Sequence, residues 1–253
     1  MYPLIATCSA LSDATPDKVA DQVSDALIDL VLAHKPNPGF ACTVKIRNNR
    51  IEINGEYTPE LKATLLGLPG RMRLAVRDVL RSTGCTLKTT GIGPESCDID
   101  IKLVPVSGDP DDDIGVYWWH GTGNQGLVFG HATNETPSGM PLFVWLANRI
   151  VMRYDTVRKS GTLPWLRPLA SARTEVHYGD ARPIIGKVEM YVQLDPKMTG
   201  NQLREAVMHQ AIIEQVIKPV IPELYRSEHT NYRVMSDRST DSRRVPEPYG
   251  GTG

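Results

Sequence analysis

The chain has 253 residues, enough to bury a substantial core as one large domain or two ordinary ones. Hydrophobic residues make up 41% and charged residues 23% of the sequence, a composition that excludes a disordered or fibrous protein. The formal net charge of -1 provides no overall field to attract nucleic acid or an acidic membrane, and no uninterrupted apolar run reaches the roughly 18 residues of a membrane span.

The N-terminus and the cysteines both indicate a cytoplasmic protein. Residues 1–8 lack the basic and apolar regions of a secretory signal. The four cysteines lie far apart, without a C-x-x-C pair or histidines at zinc spacing. We therefore expect thiols in a reducing compartment, and neither nucleic acid nor a membrane as a partner.

The first half of the sequence predicts two helices, a hairpin and a further strand. Thr15 is a suitable cap for the first helix, Pro16 suits its first turn, and apolar residues follow at helical spacing. In chain order we expect a helix over 15–34, a hairpin over 40–56 that turns at Asn48 and Asn49, a helix over 59–84 with a break at 68–70, and a strand over 98–104.

The second half repeats this alternation of helix and strand without repeating the sequence. Residues 107–126 have the composition of a loop. They precede a helix over 139–160, two strands over 173–194, a third long helix over 200–218 and a frayed polar tail from 238. Such modules predict an α+β protein in which helices pack on one face of each sheet.

Three long strings are the most informative part of the sequence: TPDKVADQVSDA at 15–26, GTGNQGLVFGHATNET at 121–136 and GTLPWLRP at 161–168. The second string contains the dinucleotide pattern G-x-G-x-x-G. A strand-like segment follows it instead of the start of a helix, so we do not expect a Rossmann site. In content and order, the three strings resemble those of S-adenosylmethionine synthetases (methionine adenosyltransferases).

The resemblance implies a fold as well as a chemistry. It implies interleaved βαβ-like modules of the S-adenosylmethionine synthetase fold, with the third module missing or vestigial. The first module is then expected at 15–115, the second at 1–14 together with 116–237, and a flexible tail at 238–253.

In the first string, the resemblance implies catalytic and metal-binding residues. Thr15 aligns with a family histidine beside the ATP triphosphate, Asp17 with an aspartate that binds magnesium, and Lys18 with the adjacent lysine. A threonine cannot carry the positive charge of that histidine. Capping of the first helix is the alternative explanation for Thr15 and Asp17.

In the second string, Gly123, Asn124 and Gln125 align with a family hexapeptide that lies in the methionine pocket, where Asn124 replaces an acid. The alternative explanation is a tight turn built on the glycines. Near the end of the chain, a looser similarity implies metal- or phosphate-facing roles for three residues. They are Asp237, Arg243 and Arg244, for which a solvated polar tail is the alternative.

Several residues depart from the family pattern. Ser9 stands where the family has an acid associated with magnesium, Thr43 where it has a carboxylate of its potassium site, and Ser171 where it has a phosphate-binding lysine. Arg173 is the candidate to reach the region of that lysine. The resemblance thus implies Mg²⁺ as cofactor, held by Asp17, and Thr43 argues against K⁺.

Two hypotheses for function remain open at this level. In one, the chain is a divergent enzyme that acts on ATP or another adenosine compound and a methionine-like molecule, working weakly alone or with a partner. In the other, it is a non-catalytic relative that regulates or completes a full-length adenosyltransferase. Both imply a homo-oligomer or a hetero-oligomer with a related chain.

Overall fold

The computed structural model describes residues 4–36, 39–106, 127, 129–179, 182–198, 201–237 and 249–251. The strands are β1 (Leu4–Leu11), β2 (Phe40–Arg47), β3 (Arg50–Tyr57), β4 (Asp98–Pro105), β5 (Leu166–Tyr178), β6 (Ile184–Leu194), β7 (Asn231–Asp237) and β8 (Tyr249–Gly251). The α-helices are α1 (Pro16–Leu32), α2 (Lys62–Leu66), α3 (Pro69–Thr83), α4 (Leu142–Lys159) and α5 (Gln202–Ile212).

The described residues form two compact units. Unit 1 comprises Met1–Thr15 with Gly130–Asp241, and unit 2 comprises Pro16–Phe129 with Ser242–Gly253. Each unit contains one four-stranded sheet. The chain therefore supplies each unit from two separate stretches.

The two sheets share one topology. In unit 1 the strand order is β1-β5-β6-β7, and in unit 2 it is β8-β2-β3-β4. Each sheet has a central antiparallel hairpin, an antiparallel strand on one side and a parallel strand on the other. A helical segment joins the hairpin to the parallel strand in both units, as a parallel connection requires. This repeat is invisible in the sequence itself.

The core of unit 2 follows from the two periodicities of its sequence. Alternate residues of β2 are buried, and so is a stripe along α1. The buried stripe is Val19, Ala20, Val23, Ser24, Leu27 and Val31. Helix α1 packs on β2 and β8, so its apolar face covers this side of the sheet.

Helix α4 plays the same part in unit 1. Its buried residues pack against β1 and β5, and Leu146, Ile150 and Tyr154 are among the fully buried side chains. The hydroxyl of Tyr154 donates a hydrogen bond to the Arg167 carbonyl at 2.6 Å, which satisfies a polar group inside the core. The α+β fold predicted from the sequence is confirmed.

Two predicted helices differ in detail. The helix expected over 59–84 consists of a 3₁₀ turn at Pro59–Leu61, α2 and then α3, which begins at Pro69. The helix expected over 200–218 changes after α5 into a π turn at Ile213–Ile217. The side chain of Arg153 donates to the Gln215 carbonyl at 3.2 Å and thereby partners a carbonyl within that turn.

The structure differs from the sequence prediction mainly in its strands. β1, β7 and β8 were not predicted, and β5 begins at Leu166, seven residues before the expected start. Of the expected tail, residues 238–248 and 252–253 lie outside the described residues, whereas Tyr249–Gly251 pair with β2. None of the described helices combines the length and apolarity needed to cross a membrane.

Candidate functional site

The start of α1 carries three predicted site residues. Thr15 directly precedes the helix and is half-buried, whereas Asp17 and Lys18 are exposed in its first turn. The carboxylate of Asp17 lies at the positive end of the helix dipole. Both charged side chains therefore lie at the surface, where a charged ligand can reach them.

Thr15 is tied to the preceding turn. Its N–H and its hydroxyl both donate to the Ser12 carbonyl, at 3.1 and 2.9 Å. Because the hydroxyl proton is used in this way, Thr15 can offer a ligand only the lone pairs of its oxygen. Its position resembles that of a helix cap, and both hydrogen bonds orient it toward the Ser12 carbonyl.

Ser12 is itself anchored to the start of β5. Its hydroxyl donates to the Pro168 carbonyl at 2.8 Å and accepts from the Ala170 N–H at 2.9 Å, and its own N–H donates to the Ala170 carbonyl. Pro168 lies where the register of β5 and β6 shifts, a place that suits a residue without an N–H. The Leu-Arg-Pro end of the third string thus holds the segment before α1.

A cluster of acidic and basic side chains surrounds Asp13. Its N–H donates to the Asp155 carboxylate at 3.0 Å. The guanidinium of Arg158 lies 3.1 Å from the Asp13 carboxylate and 3.2 Å from that of Asp155, and Lys159 also pairs with Asp13. Burial raises the pKa of Asp155 to about 6, although the Asp13 N–H and the charge of Arg158 oppose this change.

None of the four residues in this cluster was predicted from the sequence. Asp13 lies 142 residues from Asp155 in the chain. The pairing of β1 with β5 brings these two regions together, but it involves residues outside the cluster. The local sequence signals for this cluster are limited to the acidic residue Asp13 and the adjacent basic residues Arg158 and Lys159.

Arg173 lies on a row of register partners that crosses the sheet of unit 1. It is the register partner of Ser9 on β1 and of Glu189 on β6, and Glu189 is in turn the partner of Arg233 on β7. Glu189 pairs with Lys187 at 2.7 Å and with Arg233 at 3.8 Å, and its hydrogen bond with Lys187 lowers its pKa. The structure therefore brings Ser9 and Arg173 together, as neighbours on one face.

The other predicted site residues are described only in part. The backbone of Asp237 pairs with Gln193 at the end of β7. Gly123, Asn124, Gln125, Arg243 and Arg244 lie outside the described residues.

The start of α1 offers one kind of ligand that a magnesium ion needs, an exposed carboxylate. Mg²⁺ in nucleotide sites is commonly held by one or two carboxylates together with substrate phosphates and water. Asp17 supplies an exposed carboxylate of this kind. Within the described part of the chain, no group of three or more His, Cys, Asp or Glu side chains is placed to hold a metal alone.

The Ala-Thr-Asn-Glu-Thr end of the second string has a structural role at the start of α4. The carboxylate of Glu135 accepts from the Leu142 N–H at 2.8 Å and from the Tyr178 hydroxyl at 3.0 Å. The hydroxyl of Thr136 donates to the Met140 carbonyl at 2.6 Å. Burial and the hydrogen bond to Glu135 raise the pKa of Tyr178, so this phenol stays a donor.

Glu135→Ala is expected to lower the free energy of unfolding by about 1–2 kcal/mol, because α4 loses a carboxylate acceptor at its N-terminus and the half-buried Tyr178 hydroxyl loses its partner. Urea denaturation followed by circular dichroism measures the change. Glu214→Ala is the matched control, since its exposed pair with Lys218 should contribute less than about 0.5 kcal/mol. Equal losses for the two variants would contradict the assigned role.

A surface groove of about 1010 Å³ lies elsewhere in unit 1, against α5, the π turn and β7. Its charged lining includes Lys218 and Arg226, which are paired with Glu214 and Glu223. Among the predicted site residues that the structure describes, Thr15, Asp17, Lys18 and Arg173 are not part of its lining.

Comparison with known protein families identifies two matching domains. Residues 4–107 match the model of the N-terminal domain of S-adenosylmethionine synthetase, and residues 119–239 match the model of its central domain. Together the two matches account for most of the chain, including Thr15, Asp17, Lys18 and Arg173. The chain belongs to the S-adenosylmethionine synthetase family and is a methionine adenosyltransferase-like protein.

Proposed function

We propose that this chain transfers the adenosyl group of ATP, or of a related adenosine compound, to methionine, and that it does so slowly. The observation that carries the proposal is the exposed Asp17–Lys18 pair at the start of α1 in a chain of this family. Asp17 would hold Mg²⁺ and Lys18 would contact phosphate. Asn124 and Gln125 would contribute to methionine binding.

The reaction forms one bond and breaks one bond. The methionine sulfur attacks C5′ of ATP, the C5′–O bond breaks, and its electron pair leaves with the triphosphate while sulfur becomes a sulfonium. Negative charge develops on the departing oxygen, so cationic groups fixed near it accelerate the reaction. Bound Mg²⁺ would neutralise phosphate charge, and Lys18 is the candidate side chain for the same purpose.

Two substitutions relative to the family pattern reduce this positive charge. Thr15 replaces a histidine and Ser171 replaces a lysine. Neither replacement can be cationic, and the Thr15 hydroxyl already donates to the Ser12 carbonyl. Each lost stabiliser of developing charge is expected to slow the chemical step by about 10²–10³-fold.

These substitutions also favour a second candidate function. A chain that binds an adenosine compound without transferring it would regulate or complete a related adenosyltransferase. Because cations near phosphate are lost while the rest of the family scaffold remains, such a chain should bind adenosine and S-adenosylmethionine well in comparison with ATP.

The test is product formation by the purified chain with ATP, methionine, Mg²⁺ and K⁺, with S-adenosylmethionine and triphosphate quantified by chromatography. We expect slow turnover, and Asp17→Asn should reduce it at least about tenfold because the Mg²⁺ carboxylate is lost. Asp21→Asn is the matched control, since Asp21 is exposed one turn further along α1.

The outcomes separate the two candidates. Equal activity of the wild type, Asp17→Asn and Asp21→Asn would remove Asp17 from the mechanism. No product, together with calorimetric binding of adenosine or S-adenosylmethionine, would favour the non-catalytic relative. Absence of both turnover and binding would contradict both candidates.

We also propose that the exposed face of the unit 1 sheet is an oligomer interface. Its opposite face is covered by α4, whereas this face carries paired charges around Glu189 and exposed apolar side chains such as Ile5 and Tyr191. Apolar side chains beside matched charges suit association with a second copy or with a related chain.

Tyr191→Glu is expected to convert the assembly to monomers, because it places an unpaired charge in this face. Light scattering at micromolar concentration measures the mass. Leu74→Glu is the matched control: Leu74 lies on α3 and, like Tyr191, is 57% exposed. A wild-type chain that stays monomeric, both alone and mixed with a full-length family member, would contradict the proposal.

A further inference from the structure

The cluster around Asp13 connects two parts of unit 1 immediately before the candidate site. Asp13 belongs to the link that follows β1, and the other three residues belong to the last turns of α4. Arg158 bridges both carboxylates, and its side chain is only 9% exposed. We call Asp13, Asp155, Arg158 and Lys159 the clasp.

The clasp fixes the link from one side, while Ser12 fixes it from the other. Ser12 is fully buried and makes three hydrogen bonds to the Pro168–Ala170 segment. The next residue, Asp13, bonds through its N–H to Asp155 and through its carboxylate to Arg158 and Lys159. Both the backbone and the side chain of the link are therefore held.

The position of Thr15 depends on this link. Its N–H and hydroxyl both donate to the carbonyl of Ser12, so a movement of Ser12 or Asp13 moves Thr15 with it. Charge-assisted hydrogen bonds are stronger than neutral ones, and partial burial protects them from screening by salt. The clasp thus holds the link more firmly than a surface ion pair would.

We propose that Asp13, Asp155 and Arg158 are positioning residues for adenosyl transfer, which act by fixing the Ser12–Thr15 turn next to the reacting phosphates. This inference rests on the proposed function. Misplacement of a site by about 1 Å can reduce a rate by about 10²-fold. Loss of the clasp therefore lowers kcat, while groups that bind methionine elsewhere keep KM for methionine unchanged.

The experiment uses Asp13→Asn, which keeps the shape of the side chain and removes its charge. Hydrogen exchange of the peptide containing Asp13 and Thr15 reports on the turn without any need for turnover. We expect hydrogen exchange in this peptide to become at least about tenfold faster. We also expect kcat, normalised to the fraction of protein that binds substrate, to fall by about 10–100-fold, while KM for methionine stays unchanged. Asp13→Glu, which restores a carboxylate, should recover both properties in part.

Two further variants complete the design. Asp78→Asn is the control, because it removes an exposed carboxylate paired with Arg81 in unit 2 and should change neither readout. Lys159→Met removes only the more exposed partner of Asp13 and serves as the milder variant if Asp13→Asn does not fold. Lys159→Met should also increase the rate of hydrogen exchange and lower kcat, each by a smaller factor than Asp13→Asn.

The results distinguish this inference from the proposed function. Unchanged exchange in the folded variants shows that the clasp does not hold the turn and overturns the inference. Faster exchange with an unchanged kcat also overturns it, because the turn is then irrelevant to transfer. If the wild type makes no product, the proposed function fails, and the positioning role fails with it, whatever exchange shows about the turn.

Discussion

Histidine in place of Thr15 is expected to raise the rate of S-adenosylmethionine formation by about 10²-fold. An imidazolium at this position would place a positive charge near the departing triphosphate, where negative charge develops in the transition state. Thr15 is half-buried just before α1, and its N–H bond to the Ser12 carbonyl does not depend on the side chain. The substitution therefore keeps the backbone anchor and sacrifices one hydroxyl bond.

Product formation at saturating ATP and methionine measures the effect. Thr15→Gln is the matched control, since its side chain is of similar size and cannot be charged. The rate of Thr15→His should also fall as the pH rises past the ordinary imidazole pKa of about 6.5, because the cation is lost. Equal rates for the two variants would show that position 15 does not contact the leaving group.

The elements that could be predicted from the sequence are those defined by local signals. The cap, the proline and the apolar stripe predict a helix over 15–34, and α1 occupies Pro16–Leu32. Asn48 and Asn49 have φ values of 46° and 61°, the left-handed geometry that tight hairpin turns need and that asparagine tolerates. In such segments the short-range pattern and the final packing agree.

The strands that were missed depend on distant partners. β1 pairs with residues 171–178, and β7 pairs with β6 only after the intervening helix has brought it back. The start of β5 contains Pro168, which lies at an irregular point of the ladder. Their formation is decided by tertiary pairing, which a local pattern does not contain.

The same distinction holds for the candidate site. The resemblance indicated Thr15, Asp17 and Lys18 because they form one contiguous string. The clasp was invisible because its members come from positions 13 and 155–159 and meet only in the folded unit. The sequence thus indicated candidate ligand-binding residues but not the residues that hold Thr15 in place.

Asp155 is expected to make the stability of the folded protein depend on pH. Its side chain is only 13% exposed, and burial is the main reason that its pKa rises from an ordinary 3.8 to about 6. The folded state therefore keeps a proton on Asp155 to a higher pH than the unfolded chain does. The contribution of Asp155 is most favourable below about pH 4 and is lost as the pH rises toward 7, by about 2–3 kcal/mol in total.

Asp155→Asn removes this titration while keeping a similar shape. We expect the free energy of unfolding of the wild type, minus that of the variant, to fall by about 2–3 kcal/mol between pH 4 and pH 7, as measured by urea denaturation. Asp195→Asn is the control, for which we expect a change in the opposite direction. The pKa of Asp195 is lowered, chiefly by a hydrogen bond from the Lys197 N–H. The free energy of unfolding of the wild type, minus that of Asp195→Asn, should therefore rise as the pH increases from acid values. A difference for Asp155→Asn that stays constant would mean that Asp155 has the same pKa in the folded and the unfolded chain, because the Asp13 N–H and Arg158 then offset the effect of burial.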